Sequence, residues 1–132
     1  MTRGPRAKKA IEVAKRIAAE RGDVLEIFPV PGLPADFIIF ARDRVIFVLV
    51  KRTRRHLPDA AWIALDYAQE LNRIQRMPPC LVVSGELWVI APWGTVQYFR
   101  IIPGPVVEVR RDGLPLEVAG KDAGLGRNGT GQ

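Results

Sequence analysis

Two residues of this 132-residue chain could carry out phosphate or metal chemistry together. Asp36 precedes the apolar run Phe37-Ile38-Ile39-Phe40, and Lys51 follows the run Val45-Ile46-Phe47-Val48-Leu49-Val50. A carboxylate can hold a divalent cation, and a nearby ammonium can orient an attacking water or take up charge developing on a phosphate. Strand alternation places Val45, Phe47, Leu49 and Lys51 on one face and Ile46, Val48, Val50 and Arg52 on the other. If the two runs form a hairpin, the Asp36 carboxylate can face the Lys51 ammonium. A structural ion pair or a turn cap is the plainer role open to the same two side chains.

The rest of the composition removes competing chemistries. Cys80 is the only cysteine and His56 the only histidine, which leaves nothing to build an intramolecular disulfide, a cysteine-rich zinc site, a multi-histidine metal site or a histidine-based triad. No phosphate-cradling GxxxxGK[ST] loop is present. Cys80 is expected to be a small buried hydrophobe at the start of a strand. Trp62, Trp88, Trp93, Tyr98 and Phe99 could stack on bases, although aromatic residues among late strands more commonly belong to a core.

Charge is concentrated in the first part of the chain. Overall, 20 Lys+Arg oppose 14 Asp+Glu. Residues 1–55 carry 13 Lys/Arg against 6 Asp/Glu, whereas residues 56–132 carry 7 against 8. That asymmetry predicts a polyanion-facing surface built from the first helix, with Lys8 and Lys9, and from the loop that holds Lys51, Arg52, Arg54 and Arg55. Nucleic acid is the expected partner, with a merely solubilising basic face as the alternative. The basic start lacks the apolar core of a secretory signal. The run Val45 to Val50 is too short to span a bilayer, so a soluble cytoplasmic protein without membrane contact is expected.

These side chains need elements to position them. Ala10, Ile11, Ala14, Ile17 and Ala18 recur at intervals of three and four between Pro5 and Gly22, which predicts an amphipathic helix with Gly22 just past its end. Glu12 lies four residues from both Lys8 and Arg16, the spacing of helix-surface ion pairs. Extended segments follow at Val24 to Val30, Phe37 to Ala41 and Val45 to Lys51, the last apolar enough to be covered on both faces and central in a sheet. Ala60, Ile63, Tyr67, Leu71 and Ile74 then predict a single second helix over 59–77, stopped at Pro78-Pro79. Strands are expected at Cys80 to Ser84, Leu87 to Trp93 and Thr95 to Ile102, with a turn at Gly85-Glu86 and a further short strand at Val106 to Arg110. Residues 1–118 make one α/β domain, an α/β sandwich with a central mixed β-sheet flanked by helices, and 119–132 a flexible glycine-rich tail.

The order of helix, Pro34-Ala35-Asp36 at a strand start, apolar strand ending in Lys51, basic loop and helix resembles the PD-(D/E)xK nuclease superfamily, closest to its archaeal Holliday-junction resolvase-like branch. The resemblance covers roughly residues 3–102 and implies a restriction endonuclease-like fold, Mg²⁺-dependent hydrolysis of DNA phosphodiesters and a homodimer. It makes Asp36 the metal carboxylate, Lys51 the catalytic lysine and Glu12, or Glu20, the displaced acid of the first helix. The position of the second carboxylate is occupied by Leu49. Asp36 alone would hold Mg²⁺ weakly, and Asp66, Gln69 or Glu70 on the second helix are the candidates to replace the missing ligand. Three functions follow: a metal-dependent nuclease, a catalytically degenerate relative that binds DNA without cutting it, or a structural subunit.

Overall fold

A computed structural model describes residues 8–27, 35–78 and 80–116. The first helix, α1 (Lys8–Ala18), buries the stripe Ala10, Ile11, Ala14, Ile17 and Ala18 and carries Lys15 and Arg16 in its last turn, where cations suit the helix dipole. Its carbonyls at Ile17 and Ala18 accept the amides of Glu20 and Arg21 at 3.0 and 2.8 Å. Three residues later the chain is already in β1 (Gly22–Glu26), so the helix and strand run antiparallel. Gly22 is therefore a strand residue rather than the expected helix stop. Its missing side chain lets the Phe40 carbonyl of the neighbouring strand lie where a Cβ would stand.

β2 (Phe37–Ala41), β3 (Val45–Arg52), β4 (Val83–Ile90), β5 (Val96–Ile102) and β6 (Val107–Val109) complete a six-stranded sheet whose spatial order follows the sequence. The expected hairpin forms, with Phe37 opposite Val48 and Phe40 opposite Val45. β3 and β4 are the one parallel pair, in register from Val45–Val83 to Arg52–Ile90, and the other neighbours are antiparallel. A parallel connection needs a crossover, here supplied by α2 (Ala61–Asp66) and α3 (Ala68–Gln75).

The apolarity of β3 reflects burial on both faces. Ile46, Val48 and Val50 pack with Phe37, Ile39, Trp88 and Tyr98 under α1. Leu49 faces the opposite way, into a cluster with Leu57, Ile63, Ile74, Leu87, Val89, Phe99 and Ile101 under α2 and α3. Side-chain alternation along β3 is thus as read from sequence, and the protein is α/β with a mixed sheet.

Three local expectations fail for tertiary reasons. The helix expected over 59–77 breaks at Tyr67, whose φ of −132° and ψ of 41° leave the helical region; its ring packs on the second cluster and its hydroxyl donates to the Arg52 carbonyl at 3.3 Å. No turn occurs at Gly85-Glu86: β4 continues through both, and only its register with β5 shifts between them. Ile74, Met77 and Ile102 fill the space beside Gly85, and Glu86 is buried against an arginine. Cys80 is exposed, since β4 starts only at Val83 and leaves it outside the sheet. Residues 28–30 of the strand expected over Val24 to Val30, Pro5, Pro34, Pro79 and the expected tail over 119–132 lie outside the described residues.

Candidate strand-end site

Asp36 and Lys51 occupy one end of the β2–β3 hairpin. The Asp36 amide donates to the Val48 carbonyl at 2.7 Å, and Oδ2 of its carboxylate accepts the Val50 amide at 2.8 Å. The side chain thereby takes over a ladder bond where β2 begins. Lys51, two residues beyond Leu49 on the same face, places its Nζ 3.2 Å from Oε2 of Glu70 on α3.

Glu70 belongs to a larger grip on the basic segment. Asp66 Oδ2 accepts from Arg55 Nη2 at 2.7 Å, and the Arg55 guanidinium lies 5.0 Å from the centre of the Trp62 ring. With the Tyr67 hydroxyl on the Arg52 carbonyl, four residues of the α2–α3 stretch hold Lys51, Arg52 and Arg55. The segment is pinned elsewhere too. Thr53 donates its amide to the Ile90 carbonyl at 2.9 Å, and buried Gln97 closes a pair of bonds on the Leu57 backbone, accepting the amide at 2.8 Å and donating to the carbonyl at 2.9 Å.

The remaining sequence candidates separate. Glu12 is exposed on α1, which packs on the face of the sheet opposite Lys51, so it does not join Asp36 and Lys51. Glu20 pairs with Arg111 at 2.7 and 2.9 Å, which holds its carboxyl below the usual range. Lys8 and Lys9 are exposed in the first turn of α1, and Arg52 and Arg54 are exposed at the end of β3. Because α1 runs antiparallel to β1, and β1 runs parallel to β3, the start of the helix and the end of β3 point towards the same end of the sheet.

A resident Mg²⁺ does not fit these residues. The ion needs near-octahedral oxygen ligation, yet the side chain at the second-carboxylate position, Leu49, is 5% exposed within an apolar core. Glu70 is already engaged by Lys51, and one Asp36 oxygen by a backbone amide. Among the described residues no three potential ligands cluster.

Two features escaped the sequence reading. Arg21 donates to both Glu86 oxygens at 3.0 and 2.9 Å, Trp88 Nε1 donates to Glu86 at 2.8 Å, and the Arg21 guanidinium sits 5.0 Å from the centre of the Trp88 ring. Sixty-five residues separate the charged partners, and no local pattern announces such a pair. The second feature is a groove of about 390 Å³ between α1 and the β4–β5 hairpin, lined by Val13, Arg16 and Ile17, by Gly94, Val96 and Tyr98, and by Arg111. Burial pushes the Tyr98 phenol up, against the pull of Arg111 and Arg21, so it stays a neutral hydroxyl near neutral pH. Of the five candidate stacking aromatics, Trp88, Tyr98 and Phe99 are buried, Trp62 is half-buried and Trp93 is 60% exposed. Among the described residues no helix is long and apolar enough to cross a membrane. No protein-family model, curated protein or solved structure matches the chain.

Proposed function

We propose that this protein is a nucleic-acid-binding module of restriction endonuclease-like architecture, a degenerate relative of the PD-(D/E)xK nucleases that holds DNA without cutting it. The observation that carries the reading is the filling of the nuclease position by packing: Leu49 is core and Lys51 is neutralised by Glu70. The hairpin of β2 and β3, with a helical crossover to a parallel β4, supports the architecture. Lys8, Lys9, Arg52 and Arg54 support the binding role, being exposed and meeting no carboxylate among the described residues.

Arg55 is the fifth cation, held back by Asp66. Five phosphate contacts give a slope of log K against log salt of about −4.5. Fluorescence anisotropy with a labelled duplex should return that slope in EDTA, and neither duplex nor four-way DNA should be cleaved with Mg²⁺ or Mn²⁺. Arg54→Ala should make the slope shallower by about 0.9, whereas Asp66→Asn should tighten binding by releasing Arg55. A slope near zero, or no binding at low salt, overturns the nucleic-acid reading. Metal-dependent cleavage that disappears in Glu70→Ala, with the fold intact, would instead make Glu70 the relocated acid of an active nuclease.

A further inference from the structure

The turn that joins β4 to β5 is closed by backbone hydrogen bonds, and it presents a large apolar side chain to solvent. The Ala91 amide donates to the Thr95 carbonyl and the Gly94 amide to the Ala91 carbonyl, each at 2.9 Å. Gly94 has φ +98°, a conformation that side-chain-bearing residues rarely adopt. Trp93 stands at this tip, 60% exposed, with no ring or cation stacked on it among the described residues. Because β3 and β4 are parallel, with Arg52 level with Ile90, the tip emerges at the same end of the sheet as the basic segment 51–55.

Beside the tip, at Gly94, opens the groove between α1 and the hairpin. Its lining mixes the apolar Val13, Ile17 and Val96 with Tyr98 and the cations Arg16 and Arg111. Arg16 pairs with no carboxylate among the described residues, and Arg111 is both oriented and matched by its bidentate contact with Glu20, with which a phosphate has to share it. A volume of about 390 Å³ falls within the range of small-ligand sites. Apolar side chains and an exposed indole beside guanidiniums match a ligand with both a planar ring and a phosphate. Paired bases keep their faces stacked on one another, whereas an unpaired base offers its face to an indole.

We infer that Trp93 and the adjoining groove form a site for an unpaired nucleotide, with the base stacked on Trp93 and its phosphate on Arg16 and Arg111, so that the preferred ligand is DNA with a single-stranded extension or an opened junction rather than a blunt duplex. This inference rests on the nucleic-acid reading and gives that reading its substrate class.

The test compares a blunt duplex with a duplex carrying a short oligo(dT) extension and the same number of phosphates, by anisotropy with the full chain. Wild type should prefer the extended form, and Trp93→Ala should lower affinity for that form by about 5- to 150-fold, the range for loss of one base–aromatic stack. Its preference should then approach one. Trp93→Phe should keep most of the preference, and Arg54→Ala should weaken both forms while leaving their ratio intact. Unaltered thermal melting of Trp93→Ala shows that the fold is intact. Equal wild-type affinity for the two forms, or a Trp93→Ala loss shared equally between them, overturns this inference and leaves the nucleic-acid reading standing. Failure of wild type to bind either form at low salt overturns both.

Discussion

Replacing Leu49 by glutamate puts back the carboxylate that the nuclease pattern lacks, and the structure sets what that substitution should do. Leu49 is 5% exposed in the cluster under α2 and α3. Leu49→Ala should cost about 2–5 kcal/mol from lost transfer energy and the remaining cavity. Leu49→Glu removes the same contacts and adds a buried polar group without a hydrogen-bond partner, a further cost of about 1–3 kcal/mol. The total, about 3–8 kcal/mol, is a large share of the stability of an ordinary domain. With an m-value of about 2 kcal/mol/M, the urea midpoint should fall by roughly 1.5–4 M. The fall should be the same in EDTA and in saturating Mg²⁺, because an ion that binds the native state would raise the midpoint by mass action. Asp36 lies on the same face of the hairpin, next in register beyond the Phe37–Val48 pair. The reasoning is therefore refuted by a Leu49→Glu protein that is more stable than Leu49→Ala and gains stability with Mg²⁺. That result would mean that the new carboxylate meets Asp36 around a cation, and that the strand end is a latent metal centre.

Two further predictions concern groups away from that strand end. Arg21→Leu should cost about 3–5 kcal/mol in urea unfolding, because it leaves Glu86, 3% exposed, with a charge that no guanidinium compensates; a near-neutral effect would show that the pair is open to water. Arg110 and the Leu114 amide hold the Asp112 carboxyl down to about 2, so its carboxyl resonance should titrate near that value. Since the folded-state value is the lower one, the stabilisation from ionised Asp112 is complete above the ordinary aspartate range and is lost as pH falls through about 2. Titration at the ordinary aspartate value would refute the contact.

What could be read from the sequence was set by local periodicity. The α1 stripe, the β2–β3 hairpin and the two faces of β3 follow from intervals of three, four and two residues, and each is present in the structure. The failures all involve residues whose role is fixed by something distant in sequence. Gly22 and Gly85 look like punctuation, yet each accommodates a neighbour: the Phe40 carbonyl in one case, and the Ile74, Met77 and Ile102 side chains in the other. Tyr67 fits a helical stripe, yet the helix breaks there, with its ring on the second cluster and its hydroxyl on Arg52. At the site, the basic segment was visible as a run of charge, and Asp66 and Glu70 were visible as acids near it. That both acids grip the segment depends on which sheet face α2 and α3 cover, and periodicity does not specify that face. Glu12 fails for the converse reason, since its helix covers the other face.

The parallel pairing of β3 and β4 links the architecture to the proposed binding role. Two strands joined through a helical crossover deliver their outgoing segments to one end of the sheet, here the cations of 51–55 and the turn that carries Trp93. An antiparallel pair would have sent them to opposite ends. The same crossover brings Asp66 and Glu70 down on Arg55 and Lys51, so two of the cations start out matched by internal carboxylates. On the proposed reading, a polyanion must compete with those carboxylates for the two side chains, whereas Lys8, Lys9, Arg52 and Arg54 face it without such a competitor. A lone phosphate gains little from that exchange, because exposed ion pairs of this kind differ by at most about 1 kcal/mol. A strand that also neutralises the four unmatched cations gains counterion release at each of them. The internal acids therefore tune the surface against isolated anions and towards phosphates in series, and this is why Asp66→Asn is expected to tighten binding rather than disrupt it.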